Sequence, residues 1–175
     1  MQQIIIVNLI LQLSKFSLRI KYCLKIINFN YFRKINCNIF IEELQKNNNF
    51  KDQKFEDALR ETFLKMDELL LTPEGQNEIN EMKDNNGTIF AGCTANVALF
   101  YKNTLYVANA GDSRSVLCRE NKNYDMSVDH KPENYEEKLR IEKAGGYVSD
   151  GRVNGNLCLN ASVTALSYIN KIDFI

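Results

Sequence analysis

At 175 residues, 45% hydrophobic and 25% charged, the chain is long enough for one domain with a packed core, and its composition excludes collagen-like, disulfide-dense and fully disordered classes. The formal net charge is zero and the pI is near 6.6, so the total favours neither nucleic acid nor an acidic partner. Five cysteines without CxxC spacing read as reduced, mostly buried thiols in a cytoplasmic or nuclear setting, and a single histidine, His130, rules out a multi-histidine zinc site, leaving oxygen ligands for any metal.

Residues 1–39 are rich in Ile, Asn, Lys, Phe, Tyr and Leu and contain no acid, glycine or proline. Six basic residues (Lys15, Arg19, Lys21, Lys25, Arg33 and Lys34) precede the first acid, Glu42, so the rest of a neutral chain carries the balancing acidic excess. The apolar run IIIVNLIL is too short to span a bilayer and has no positive residue ahead of it, so no membrane association is expected. The residue types are those of AT-rich codons, which points to translated non-coding sequence or a mispredicted start. The segment 160–175, which loses the pattern of the text before it, falls under the same reading.

In FEDALRETFLKMDELLL, Phe55, Leu59, Phe63, Met66 and Leu70 form one helical stripe, predicting an amphipathic helix over 55–71 ended by Thr72-Pro73 and Gly75. The polar segment 75–87 reads as a loop with room for a short helix. Apolar and β-branched runs at 89–100, 105–110 and 115–118, separated by Tyr101–Thr104 and Gly111–Arg114, predict three neighbouring strands of a meander, and a short strand follows at 124–128. After Pro132, Asn134 as N-cap with Glu137 closing a capping box starts a helix from Tyr135 that stops at Gly145-Gly146. Helix, strands, helix without βαβ alternation argue α+β with an antiparallel sheet, on which the helices at 53–71 and 135–144 pack.

Several stretches invite a chemical reading. In Gly111-Asp112-Ser113-Arg114 a carboxylate stands at a strand end beside backbone that glycine lets approach closely, which suits a hard cation; the same spacing also describes a tight turn with Asp112 bonding backbone amides. Asp129-His130-Lys131-Pro132 suggests acid–base work, but adjacent residues of an extended segment face opposite ways, so a lead-in to the following helix is the simpler reading. Glu136, Glu137, Arg140, Glu142 and Lys143 are a solvated helical face. Cys93, Cys118 and Cys158 sit among apolar residues without a nearby histidine, so they read as core thiols, not nucleophiles. No GxGxxG or GxxxxGK[ST] is present, which leaves nucleotide binding without support.

GDSR, DHKP, E-x-x-RI-x-x-AGG and GRVNG, in that order, resemble the middle of the metal-dependent serine/threonine protein phosphatases (PPM, type 2C). The resemblance covers residues 40–159, leaving 1–39 as a basic arm that is not family-like and 160–175 as a divergent tail. It implies a partial αββα sandwich of antiparallel sheets flanked by helices, two Mg or Mn ions per site, a phosphorylated protein substrate, and hydrolysis of phosphoserine or phosphothreonine by metal-activated water. It also implies that Asp112 is a metal ligand, that DHKP is a structural marker, and that Arg152 and Asn154, near a surface flap, touch substrate; a polar loop is the competing reading for those two. The family's DGHGG segment and its later acidic ligands are not found, so no catalytic residue is assigned. The expectation is a truncated, inactive copy with exposed sheet edges that favour self-association; the alternative is a non-catalytic binding or regulatory module keeping part of the phosphatase surface.

Overall fold

The computed structural model describes residues 11–13, 18–27, 30–81, 83, 85–87, 92–120, 122–154 and 169–173. It divides into two compact units, one of residues 26–93 and one of 1–25 with 94–175.

The first unit is helical: α1 (Asn30–Lys46), α2 (Asn48–Lys51), α3 (Phe55–Leu70) and α4 (Pro73–Glu81). The predicted stripe carries α3, with Phe55, Leu59 and Phe63 buried together with Ala58, against Phe40, Ile41 and Leu44 of α1 in the same core. Phe40 meets Phe63 edge-on at 5.2 Å between ring centroids, and Phe50 meets Phe55 at 5.5 Å, the arrangement that aromatic quadrupoles favour. The Glu61 carboxylate accepts from both Asn47 and Asn49 at 2.9 Å, fastening the α1–α2 junction to α3.

Thr72-Pro73 does end α3, but it also begins a full helix where the polar composition suggested mainly loop. The Thr72 hydroxyl accepts the Gly75 amide at 3.2 Å, and Pro73 sits at the first helical position, where no amide is needed. Gly75 is demanded by this crowding. A Cβ there would collide with the Leu69 carbonyl oxygen and lie 2.8 Å from Leu70 Cα.

The second unit holds a five-stranded sheet in the order β1 (Leu11–Leu13), β2 (Leu18–Ile27), β3 (Gly92–Tyr101), β4 (Thr104–Ala110) and β9 (Ile169–Asp173). β3 and β4 are antiparallel with Asn96 opposite Asn109 and Phe100 opposite Leu105, joined through Lys102 at φ 50°. That register puts Ala98, Phe100, Leu105 and Val107 on one face, where they pack with Leu117 and Met126; Val97 and Leu99, on the other, are also buried. Two two-stranded sheets accompany it, β5 (Val116–Arg119) with β6 (Lys122–Asp125) and β7 (Val148–Ser149) with β8 (Arg152–Val153), and one helix, α5 (Tyr135–Lys143). The combination is α+β, with β1–β2, β3–β4, β4–β9, β5–β6 and β7–β8 all paired antiparallel.

Three expectations are corrected. The meander breaks at Gly111: β5 pairs with β6 in its own sheet, not with β4, because residues 111–115 leave the ladder and bond instead to residues 126–130. The capping box at α5 does not form. Asn134 donates its side-chain amide to the Asp129 carbonyl at 2.7 Å, and Glu137 pairs with Arg140 at 2.8 Å. Cys118 is exposed, not a core thiol; the Cys158 position lies outside the described residues, as do the side chains of Cys23, Cys37 and Cys93. At its other end α5 stops as predicted, with Gly146 donating to the Ile141 carbonyl at 2.9 Å and Gly145 to Glu142 at 3.0 Å.

The sheet also draws strands from segments outside the resemblance. β1 and β2 come from the basic arm and β9 from the tail, where Leu105 faces Ile172 and Val107 faces Asn170. No helix among the described residues is long and apolar enough to cross a membrane.

Replacing Gly75 by alanine tests the α3–α4 corner. Helix propensity alone would stabilise the chain by about 1 kcal/mol, whereas the collision predicts destabilisation by about 1–3 kcal/mol, read as a lowered urea midpoint at constant slope.

Candidate functional site

The β4–β5 loop, residues 111–115, is where the sequence placed its chemistry, and its shape begins with Gly111. Gly111 is buried at φ 116°, a conformation that side chains rarely adopt, and a Cβ there would come within 2.6 Å of the Thr94 Cβ and Cγ2 atoms. Its amide donates to His130 Nδ1 at 3.3 Å, and its carbonyl accepts the His130 amide at 3.0 Å. These two bonds join the GDSR and DHKP motifs, which lie 18 residues apart in sequence.

His130 is only 5% exposed. Burial, the dominant cause, pushes its pKa below the ordinary 6.5; Arg140 adds to the depression, and Glu137 and Asp129 oppose it. With Nδ1 accepting from Gly111, the neutral ring carries its proton on Nε2. The histidine thus acts as a buried acceptor that fixes a loop, in keeping with the structural reading of DHKP.

Three more residues of the loop are tied down. The Ser113 hydroxyl shares a hydrogen bond with Thr94 at 2.9 Å, the Ser115 amide donates to the Ser127 hydroxyl at 2.8 Å, and Arg114 Nε donates to Asp129 Oδ1 at 2.9 Å. Lys131 lies 3.7 Å from the other Asp129 oxygen. Asp129 is therefore engaged by two cations while His130 turns to Gly111, so the adjacent pair does not cooperate. Asp112 sits half-buried on this loop.

Arg152 and Asn154 belong to a different element, the β7–β8 hairpin. Its turn, Asp150-Gly151, has positive φ at both residues (52° and 70°), as a two-residue hairpin turn requires. Arg152 is exposed on β8, opposite Ser149. Asn154 donates its amide to the Tyr147 carbonyl at 2.9 Å and accepts the Tyr147 amide on Oδ1 at 3.1 Å, which locks the hairpin base.

Among the described residues no three His, Cys, Asp or Glu side chains come together as a cation site. The described residues therefore do not fit a two-metal centre: Asp112 offers one carboxylate, and Asp129 is held by Arg114 and Lys131. Sequence reasoning missed Asn96 and Asn109, both buried beside the loop. The signal was present, as polar residues inside the apolar runs of β3 and β4.

The sequence profile of the family described as "Protein phosphatase 2C" matches residues 26–162. The chain belongs to the protein phosphatase 2C family. Among its relatives, "Probable protein phosphatase 2C 4" of Paramecium tetraurelia is 78% identical over 130 residues, 74% of this chain and 43% of that protein. "Protein phosphatase 2C homolog 3" of Schizosaccharomyces pombe is 42% identical over 128 residues, 73% of this chain and 28% of that protein. The chain thus spans less than half the length of these relatives. In three dimensions it shares the fold of a serine-threonine phosphatase 2C from Toxoplasma gondii, with a TM-score of 0.67 at 15% identity over 90% of this chain and 64% of that one. A C. elegans sex determining protein matches with a TM-score of 0.69 at 20% identity, covering 91% of this chain and 41% of that one.

The depressed pKa of His130 sets a sign for pH dependence in this phosphatase 2C chain. Unfolded His130 takes up a proton near pH 6.5 and the folded form only at lower pH, so the stability it contributes is complete above 6.5 and is lost as pH falls toward the folded value. The urea midpoint should drop between about pH 7.5 and about pH 5.5, and drop less in His130→Asn, whose Oδ1 can take the Gly111 amide without titrating.

Proposed function

We propose that this chain carries the Asp112-bearing part of a phosphoserine/phosphothreonine phosphatase site, with the further acidic ligands for Mg or Mn supplied by segments that its longer relatives possess and this sequence does not show. The observation that carries the reading is the β4–β5 loop itself: a half-buried carboxylate on a loop tied to its neighbours at Gly111, Ser113, Arg114 and Ser115, in a chain of the phosphatase 2C family. When bound in a complete site, the metal pair supplies an activated water and polarises the phosphoryl oxygens. In this chain Asp112 supplies one carboxylate on that loop, while Arg114 is tied to Asp129.

We assign Arg152, exposed on β8, as a peripheral contact for a phosphorylated protein, and Asn154 as the residue that keeps that hairpin in shape through Tyr147. By itself the chain is a phosphatase piece without turnover, suited to a cytoplasmic or nuclear setting by its exposed, free Cys118. A binding or regulatory role makes the same use of Arg152 and predicts the same absence of turnover.

Two measurements check the reading. Purified chain in millimolar Mn should hydrolyse a phosphothreonine peptide no faster than Asp112→Ala, and metal-dependent turnover that disappears in that variant would show a complete site. In an amide correlation spectrum, Mn should broaden the signals of residues 111–113 in the native chain and spare them in Asp112→Ala; equal broadening in both would remove Asp112 as a cation ligand.

A further inference from the structure

The apolar face of the β3–β4 hairpin ends abruptly in polar side chains. Beyond Ala98 and Val107 in the same register, and on the same face, stand Asn96 and Asn109, paired across the two strands. They are 3% and 1% exposed. Asparagine is a poor strand former, and burying an amide without partners is costly, so two of them at facing positions call for a physical reason.

Their hydrogen bonds supply it. Asn109 Nδ2 donates to the Gly111 carbonyl at 3.0 Å and to the Val128 carbonyl at 3.1 Å, while its Oδ1 accepts from Asn96 Nδ2 at 2.8 Å. Asn96 Oδ1 in turn accepts from the Ser115 hydroxyl. The pair therefore holds the first and last residues of the 111–115 loop and the backbone of the segment that carries Asp129 and His130. Because both acceptors of Asn109 are carbonyls, only the amide nitrogen can face them, which fixes the orientation of that side chain and, through it, that of Asn96. Aspartate would lose both donors, and serine is too short to reach two carbonyls.

We propose that Asn109, braced by Asn96, is the positioning residue of the β4–β5 loop: it sets the path of residues 111–115 and hence where the Asp112 carboxylate stands. The functional meaning rests on the reading of Asp112 as the loop's working group. The test needs neither metal nor substrate, so the clamp and that reading fail separately.

The measurement is residue-resolved hydrogen exchange on the full 175-residue chain. Asn109→Ser should speed exchange of the Gly111 and Ser115 amides by about tenfold or more, with Ala98, Leu99 and Tyr106 in the middle of the hairpin changing by less than about twofold. A general structural weakening would instead raise exchange throughout the hairpin, and that result, or unchanged exchange at Gly111 and Ser115, overturns the proposal. Asn96→Ser is the milder variant and decides the matter if Asn109→Ser does not fold. It removes the brace and the Ser115 acceptor but leaves Asn109 on its two carbonyls, so exchange should rise by about threefold at Ser115 and by less at Gly111; no rise at Ser115 refutes the clamp.

Discussion

Two hydrogen bonds running in opposite directions between Gly111 and His130 are the constraint on which the rest of the sheet unit depends. A loop that leaves a ladder in a buried setting must find new partners for its backbone, and here the partner is a second irregular segment, not a strand. That choice explains why β5 leaves the main sheet and why Met126 comes to lie against Leu105 and Val107. It also requires a neutral imidazole, since a protonated ring has no acceptor left at Nδ1.

The absence of a side chain at position 111 makes this possible. Thr94, on the neighbouring strand, occupies the space a Cβ would need and uses the same proximity to reach Ser113. Arg114 then has Asp129 within reach, and the DHKP segment is held from both sides before α5 begins at Tyr135. What four adjacent residues suggested as local chemistry is thus largely a set of long-range fastenings.

Much of this was legible in the sequence, and the misses have identifiable causes. The α3 stripe, the β3–β4 turn at Lys102-Asn103 and the glycine stop of α5 were readable because each is a local pattern with a local physical cause. The strand at 18–27 was not, although LRIKY within it alternates apolar and basic residues, because the compositional oddity of the arm drew the reading away from period two. Asn134 and Glu137 had the spacing of a capping box, but tertiary partners, the Asp129 carbonyl and Arg140, displaced it. The loop's anchors showed only as polar residues inside apolar runs, and nothing local to Asn96 or Asn109 announces which carbonyls they will meet. For Asp112 itself, sequence gave position and residue type, while the two-metal chemistry of the family depends on ligands no local pattern here supplies.

The order of strands in the main sheet has a consequence for how the chain reaches its native state. β3 and β4 are joined by a two-residue turn and can pair within microseconds, whereas β2 must find β3 across the whole helical unit and β9 must return to β4 after α5 and the β7–β8 hairpin. Early in folding the hairpin therefore stands with both edges open, and the entropy of closing two long loops falls on the later, rate-limiting steps. The hairpin that leads into the β4–β5 loop is thus, in this picture, the segment whose edges stay open longest to pairing with another nascent chain.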